Sequence, residues 1–379
     1  MTGRPAAAIG FSIEQPDLAA LRSMWTDLEQ HAEVTVFLSW TWVGVWLEQA
    51  GMPDAVVVGR AGGEVVCLGL LRRGVQRRHG FVRSRTLFLH ETGDAEKDAI
   101  FIEYNGLLTD KRFGFAETEV IQFLRRSQAR IGRFDELQFS GFAEDRYEAV
   151  RASGLRTHIY GQRSSAFVDL RRLRESGGDY LASLGSNTRY QIRRALKIYE
   201  SRGPLSLQLA RNVEEALRFF EEMGVLHERA WEEKEGGGAW RFPFLVAFHK
   251  RLIETSFASG SVDIARISCG DRPIGYIHCL NHRGWIGSYL SGFAYEADNK
   301  VKPGLVSFYL YIEHRLKAGG DVFDFLAGDH RYKMNMGQPG PTMYWFSVQE
   351  RRPQLIAESA LRWVKRKAAP LMAKLRPDS

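Results

Sequence analysis

The most informative segment of the sequence is Asn299-Lys-Val-Lys-Pro-Gly-Leu-Val-Ser-Phe308. A predicted strand ends near Phe293, and the pattern predicts a helix directly after Gly304. Backbone N–H groups and the dipole at the N-terminus of a helix favour a bound phosphate. Lys302 adds positive charge there, and a glycine lets the backbone approach a ligand closely. The segment is therefore a candidate cradle for a pyrophosphate; the alternative is an ordinary Pro-Gly turn before a helix.

A second motif follows the predicted helix and reads Phe323-Asp-Phe-Leu-Ala-Gly-Asp-His-Arg-Tyr-Lys333. In a strand, Asp324 lies on the face opposite its two phenylalanine neighbours, and a buried carboxylate needs a partner. Asp324 is therefore a candidate for orienting a substrate amine or removing its proton, or it forms a structural ion pair. Tyr332 and Lys333 follow a glycine turn, from which side chains can point into a cleft. The Tyr332 hydroxyl could protonate a leaving thiolate, or its ring only packs against the loop.

Two predicted helices upstream carry further candidates. Arg189, Arg193 and Lys197 recur every four residues, so they form a basic stripe on one helical face. This stripe binds a phosphorylated substrate or cofactor, or it is a solvated face. His227 lies near the end of a long predicted helix, before the flexible loop Gly236-Gly-Gly238. It is a candidate general base, although a single histidine is often structural.

Hydrophobic periodicity and turn residues predict a mixed α/β chain. The predicted strands cover residues 55–60, 64–71, 85–90, 99–108, 136–139, 166–169, 205–209, 262–268, 274–280, 285–291 and 322–326. The predicted helices cover residues 16–32, 113–131, 144–153, 180–203, 213–232, 243–258 and 305–318, with another from 354. Both halves run from helices through a meander to a helix and a strand, which suggests one architecture used twice.

Length and composition limit the class of protein. A chain of 379 residues suits two domains, and its net charge of +7 favours an anionic partner such as a nucleotide cofactor, unless the protein is simply basic. Three cysteines without a C-x-x-C pair, and no apolar run that could be a signal peptide or a spanning helix, predict a reducing, cytoplasmic location. No metal site is predicted, because His278 and His282 would lie about 13 Å apart in a strand.

The order and spacing of these motifs resemble the CelD-like acetyltransferase family, which is related to the FemAB peptidyltransferases. The resemblance is specific from Ala166 to Gly337 and includes Ser186-Asn-Thr-Arg-Tyr-Gln-Ile-Arg-Arg-Ala195 and Leu226-His-Glu-Arg-Ala-Trp231. In the N-terminal half it rests on Phe37-Leu-Ser-Trp-Thr-Trp42 and Ile102-Glu-Tyr-Asn-Gly-Leu-Leu108. It implies two GNAT lobes in tandem, each a mixed, mostly antiparallel sheet flanked by helices. The degenerate lobe would cover residues 1–162, the catalytic lobe 163–350 and a basic tail 351–379.

The resemblance also implies a reaction, in which an acetyl or other acyl group passes from acyl-CoA to an amine, without a metal. The acceptor would be an amino sugar of a bacterial exopolysaccharide, of cellulose or holdfast type, or its precursor. By position, the pyrophosphate loop would be Lys302, Pro303, Gly304 and Leu305, with Asp324, Tyr332 and Lys333 at the floor of the cleft. The remaining candidates would bind or border the acceptor: His227, Arg229, Trp231, Asn187, Arg189 and Arg193.

One departure from the pattern keeps alternatives open. The loop at Lys302 lacks the full R/Q-x-x-G-x-G/A run of ordinary GNAT enzymes. A FemAB-like transferase that uses aminoacyl-tRNA on a cell-wall precursor is therefore one alternative. A non-catalytic regulatory protein on a GNAT scaffold is another, because fold alone does not establish catalysis.

The C-terminal tail forms a basic amphipathic pattern from Gln354 to Arg376. Such a helix can rest on an anionic membrane surface, which would make the protein peripheral at the inner membrane. It could also bind an anionic regulator such as a cyclic dinucleotide, or pack on the catalytic lobe.

Overall fold

The structure is a computed structural model that describes residues 8–80, 82–114, 117–232, 237–328 and 330–374, with side chains as far as Trp363. Within these residues, thirteen strands form one continuous sheet. Their bounds are β1 Gly10–Glu14, β2 Ala55–Ala61, β3 Glu64–Arg78, β4 Val82–Leu89, β5 Leu108–Thr109, β6 Glu136–Ala143, β7 Thr157–Asp169, β8 Leu205–Leu209, β9 Val262–Cys269, β10 Arg272–His282, β11 Trp285–Phe293, β12 Val322–Asp324 and β13 Gln338–Gln349.

Thirteen helices lie on the two faces of the sheet in the described chain. Their bounds are α1 Leu18–Glu29, α2 Trp40–Ala50, α3 Glu117–Arg126, α4 Gln128–Ile131, α5 Glu144–Ala152, α6 Leu170–Glu175, α7 Tyr180–Ser183, α8 Ser186–Glu200, α9 Val213–Trp231, α10 Pro243–Ser256, α11 Pro303–Lys317, α12 Arg331–Met336 and α13 Pro353–Lys374. No described helix combines the length and the apolar composition that crossing a membrane requires.

The strand order shows that the two halves of the sheet repeat one another. The order is β1-β2-β3-β4-β6-β13 and then β7-β12-β11-β10-β9-β8. Counted inward from each edge, strands at the same position therefore correspond: β1 to β8, β2 to β9, and so on to β13 and β7. In each half, four antiparallel strands are followed by one parallel pair, β4 with β6 or β11 with β12. An antiparallel strand then completes each half, and these two strands, β13 and β7, pair with each other at the centre.

The central strands are exchanged between the halves. β7 follows the N-terminal elements in sequence but pairs with β12 of the C-terminal half. β13, at the far end of the chain, pairs with β6 of the N-terminal half. The boundary expected at residue 162 lies within β7.

One face of the sheet carries a core that both halves share. The buried face of α9 repeats at intervals of three and four residues through Ala216, Phe219, Phe220 and Met223, as an amphipathic helix requires. This face packs in the same cluster as Trp25 and Trp42 of α1 and α2. The opposite face has two separate cores, one between α8, α11 and the C-terminal strands, the other between α3, α5 and the N-terminal strands.

Most predicted helices and the two hairpins β2–β3 and β9–β10 lie where the sequence predicts them, but one predicted strand is wrong. A short 3-10 turn, Lys97–Ile100, covers the first two residues of the range 99–108, and only Leu108 of this range lies in a strand. The structure also contains two strands that the sequence analysis missed, β1 and β13. The helices predicted at 113–131 and 180–203 are each divided in two.

The C-terminal helix α13 begins on the N-terminal half rather than on the expected catalytic lobe. Leu355 and Glu358 are fully buried, and Arg78 Nε donates to Glu358 Oε1 at 3.0 Å. Arg362 also pairs with Glu358, at 2.8 Å. The basic side chains from Lys365 onward, on which the predicted membrane or nucleotide contact depends, lie outside the described side chains.

Candidate active site

A groove of about 370 Å³ opens where the N-terminal ends of α8 and α11 meet α12. We call it the helix-end groove. Its described lining has two cationic side chains and no carboxylate, and both helix N-termini face the same space. The lining residues are Asn187, Thr188, Gln191, Phe293, Tyr295, Lys302, Gly304, Leu305, Phe308, Arg331, Tyr332 and Asn335. The charge and the helix ends suit an anion, and the aromatic rings suit an apolar group beside it.

The predicted pyrophosphate loop forms one wall of this groove. α11 begins at Pro303, whose fixed backbone angle suits the first position of a helix, and Lys302 is the N-cap. Lys302, Gly304 and Leu305 line the groove, whereas Pro303 is buried. A Cβ at Gly304 would lie 3.3 Å from two ring carbons of Phe293, so the wall is closely packed there.

The groove adjoins an opening in the sheet. β11 and β12 pair in parallel over only three residues, ending at Gly287 opposite Asp324. β11 then continues to Phe293, and within the described chain no other strand pairs with this edge. An unpaired strand edge presents backbone N–H and C=O groups that a ligand can use.

Tyr332 connects the groove to the end of β12. Its ring stacks on Phe308 of α11 with centroids 5.6 Å apart, and it makes an edge contact with Phe325. Burial raises the pKa of Tyr332 above its usual value, so the hydroxyl keeps its proton at neutral pH. A protonated hydroxyl in the groove can donate to a leaving group.

Asp324 is buried and holds the turn that follows β12. Its Oδ2 accepts hydrogen bonds from the Tyr104 hydroxyl and from Trp285 Nε1, and its Oδ1 accepts from the backbone N–H of Leu326 at 2.7 Å. Burial raises the pKa of Asp324, and these donors oppose that effect. Leu326 has a φ of +61°, a left-handed conformation that a bulky residue adopts only when its surroundings enforce it. Three neutral donors therefore hold Asp324, in place of the ion-pair partner that was the structural alternative.

Lys333 closes the same turn from the other side. It is 9 % exposed, and its Nζ donates to the carbonyl oxygens of Leu326 and Ala327 at 3.3 and 2.9 Å. Its ammonium group thus ties α12, which carries Tyr332, to the end of β12. Glu103 of the N-terminal half accepts a hydrogen bond from the Ala327 N–H at 2.8 Å.

His227 lies on the other face of the sheet, at the edge of the same opening. The Ala239 N–H donates to Nε2 at 3.1 Å, so Nδ1, which is 2.9 Å from the Ser291 carbonyl, carries the proton. Acting as a base would require breaking the Ala239 bond. Trp231 stacks on the His227 ring at 5.8 Å, and Arg229 is exposed.

The predicted basic stripe of α8 is only partly near the groove. Asn187 lines it, together with Thr188 and Gln191 of the same helix. Arg189 and Arg193 are not among the lining residues, and Arg189 Nη1 donates to the Ala182 carbonyl at 2.8 Å. The described residues contain no cluster of three or more His, Cys, Asp or Glu that could hold a metal ion.

Two residues of this site, Glu103 and Tyr104, were not predicted as functional. They come from the N-terminal half and lie more than 200 positions from Asp324, so no local pattern places them there. The signal available was Ile102-Glu-Tyr-Asn-Gly-Leu-Leu108, which contributed to the family resemblance without any role for its residues. Arg331 and Asn335 were also missed, although they flank Tyr332 in the same short helix.

Comparison with known proteins bears on the fold and on the class of reaction. Residues 186–334 match the family model of the acetyltransferase (GNAT) domain. This part of the chain is similar to GNAT acetyltransferase domains. The predicted N-acyltransferase class and the predicted mixed α/β fold with flanking helices are thereby confirmed, but the sheets of the two halves are joined into one. The match identifies neither the acyl donor nor the acceptor.

Solved structures share the fold over almost the whole chain. One is the crystal structure of FemX, with a TM-score of 0.55 and 10% sequence identity over 90% of this chain and 98% of that one. Another is a conserved protein of unknown function from Bacteroides thetaiotaomicron, with a TM-score of 0.52 and 9% identity over 90% of this chain and 100% of that one. At these identities the likeness concerns the fold alone. The curated proteins contain no match to this chain.

Proposed function

We propose that this protein transfers an acetyl or longer acyl group from acyl-CoA to the amino group of a sugar. The acceptor class, an exopolysaccharide of cellulose or holdfast type or its precursor, follows from the resemblance to CelD-like acetyltransferases. The observation that carries the proposal is the helix-end groove. It brings Lys302 and Gly304, at the N-terminus of α11, into one cavity with Tyr332.

The geometry suggests how the donor would bind. The pyrophosphate would lie at the N-terminus of α11, where the free N–H groups and Lys302 offset its charge. The thioester would lie along the unpaired edge of β11. Backbone N–H groups of that edge would polarise its carbonyl.

The transfer itself needs no covalent enzyme intermediate. The amine nitrogen attacks the thioester carbon, the C–N bond forms, and the C–S bond breaks. The Tyr332 hydroxyl gives its proton to the departing thiolate, and the amine proton passes to water or to a nearby base. Asp324 and Lys333 would act by holding the turn and helix that carry Tyr332.

Isothermal titration with acetyl-CoA, free CoA and uncharged tRNA tests the donor. Micromolar binding of acetyl-CoA supports the proposal and justifies a screen of amino-sugar acceptors with detection of the released CoA thiol. Binding of tRNA without binding of CoA would contradict it.

The fold shared with FemX supports a second candidate, an aminoacyl transferase that uses aminoacyl-tRNA, as the related FemAB proteins do. Its signature is tRNA binding whose affinity falls steeply with salt, because binding releases counterions from the phosphates. The same titrations at two salt concentrations separate the two donors.

We also propose a cytoplasmic location, where acyl-CoA is available, with contact between the basic tail and an anionic membrane surface or a cyclic dinucleotide. The support is the charge of the sequence after Arg362. Deletion of residues after Trp363 should weaken sedimentation with anionic liposomes while leaving acetyl-CoA binding intact. Unchanged sedimentation would contradict the membrane contact.

A further inference from the structure

The N-terminal half has an opening in its sheet that corresponds to the one between β11 and β12, and in this half the opening is filled. β4 and β6 pair in parallel only as far as Phe88 and Gln138, as β11 and β12 do up to Gly287 and Asp324. Beyond that point the segment Ile102–Gly106 lies between the strand ends. The Asn105 N–H donates to the Gly141 carbonyl at 3.0 Å, and Asn105 Nδ2 donates to the Leu89 carbonyl at 3.2 Å.

The fit of this filling segment is close. Gly141 has a φ of +65°, and a Cβ there would lie 2.3 Å from the Ile102 carbonyl oxygen. Atoms cannot approach this closely without a bond, so only a glycine at position 141 leaves room for the backbone of Ile102. The Asn105 side chain is fully buried, and its Oδ1 lies 2.9 Å from His90 Nδ1. A ligand could enter this opening only by displacing the segment.

The residues that fill the N-terminal opening also reach the active site of the other half. Glu103 and Tyr104 lie in the middle of the segment, and their side chains contact Ala327 and Asp324. Tyr104 has a φ of +48°, so this bulky residue, like Leu326, is held in the left-handed region. Strained conformations persist only where the surroundings enforce them, and they concentrate at functional sites.

We propose that Glu103 and Tyr104 are positioning residues for the catalytic cleft of the C-terminal half. The proposal rests on the proposed function, since it concerns the same site. Tyr104 orients Asp324, Asp324 and Glu103 hold the N–H groups of Leu326 and Ala327, and Lys333 binds the carbonyls of the same two residues. This turn sets the start of α12, and therefore the place of Tyr332 in the groove. The segment that fills the opening of the N-terminal half thus stabilises the turn beside the opening of the C-terminal half.

Hydrogen exchange of the peptide covering residues 322–328 tests this directly. In Glu103→Ala and Tyr104→Phe, exchange at the turn should be about tenfold faster, because each change removes a hydrogen bond that fixes it. Tyr160→Phe is the matched control. It removes a hydroxyl of β7 that contacts Ser140 of β6, and it should leave the turn unchanged. Unchanged exchange at the turn in both test variants would overturn the proposal, as would faster exchange spread evenly over the protein.

Kinetics separate positioning from a purely structural role. With glucosamine as acceptor, Tyr104→Phe should lower kcat by about tenfold or more, while the Kd of acetyl-CoA stays within about threefold, because the groove wall at α11 is unaffected. In Glu103→Gln the side-chain amide oxygen can still accept a hydrogen bond from the Ala327 N–H. Hydrogen exchange at the turn in this variant should therefore be as slow as in the wild-type protein. A Kd that rises as much as kcat falls would contradict the proposal. A wild-type protein that binds no acetyl-CoA would refute the proposed function, whereas the exchange result would still decide this inference.

Discussion

Replacement of Gly304 by glutamate should weaken the affinity of the helix-end groove for acyl-CoA by about 100-fold while the fold is kept. Gly304 lines the groove in the first turn of α11, beside Lys302. A glutamate suits this position electrostatically, because helix N-termini favour negative charge by about 0.3–1 kcal/mol. Its Cβ would require a small shift of Phe293, and a glutamine at the same position makes the same demand.

The expected loss follows from electrostatics. A carboxylate about 5 Å from one charge of a pyrophosphate, at an effective dielectric constant of about 20, is repelled by about 3 kcal/mol. Each 1.4 kcal/mol corresponds to about a tenfold change in Kd, so Gly304→Glu should weaken acetyl-CoA binding by about 100-fold. Part of this loss should recover at high salt, which screens charges in an open groove.

Gly304→Gln is the matched control, since it adds the same bulk near Phe293 without the charge. Titration calorimetry of both variants at low and high salt gives the electrostatic part as the difference between them. Equal losses, independent of salt, would show that the groove excludes ligand by bulk and holds no anion. Wild-type affinity in both variants would show that acyl-CoA binds elsewhere.

Three further predictions concern other parts of the molecule. Tyr332→Phe should lower the rate of acyl transfer by about 10²-fold or more with little change in acetyl-CoA affinity, because the hydroxyl acts on the leaving thiolate only as the C–S bond breaks; equal rates would exclude it as the acid. Burial raises the pKa of Glu91 to about 8. The folded protein then holds a proton that the unfolded chain has released, so stability should fall as pH rises from about 4.5 to 8. Glu91→Gln, which can still accept from the Ser140 hydroxyl, should reduce this fall in urea unfolding at pH 5 and 8, and an unchanged pH dependence would contradict the assignment. Glu358→Ala should release α13, because it removes the buried carboxylate that pairs with Arg78 and Arg362, at a cost of about 1.5–3 kcal/mol, while Arg78 keeps its pair with Glu136; equal urea midpoints would refute this.

Local patterns predicted the parts of the fold that depend on neighbouring residues. The apolar spacing of α9 and the turns of the hairpins are properties of single segments, and the structure confirms them. β13 was missed because it begins Gln338-Pro-Gly-Pro, a run typical of a loop, and its strand character comes from pairing with β6 and β7. The prediction of a strand at residues 99–108 was wrong for the opposite reason. Its apolar residues fit a strand, but they fill the opening between β4 and β6.

The residues of the candidate site also fall into two groups, those that local motifs predict and those that only the folded chain brings together. Lys302, Gly304 and Tyr332 could be found from motifs, because a glycine at a helix start and a tyrosine after a turn are visible in the sequence, and the structure brings them into one groove. The hydrogen bond between Tyr104 and Asp324 joins residues 220 positions apart. Only the meeting of the two halves creates it.

The exchange of β7 and β13 explains why the two halves stay together although one opening is filled. Each half is completed by a strand that belongs to the other side of the chain, so neither half closes its sheet alone. The shared core adds a second constraint, because Trp42 of α2 packs edge-on against Phe248 of α10 at 4.6 Å. Exposing either ring would cost about 1.5–3 kcal/mol, and the shared cluster contains many such pairs. The exchanged strands and the shared core therefore hold the two halves together whether or not both take part in catalysis.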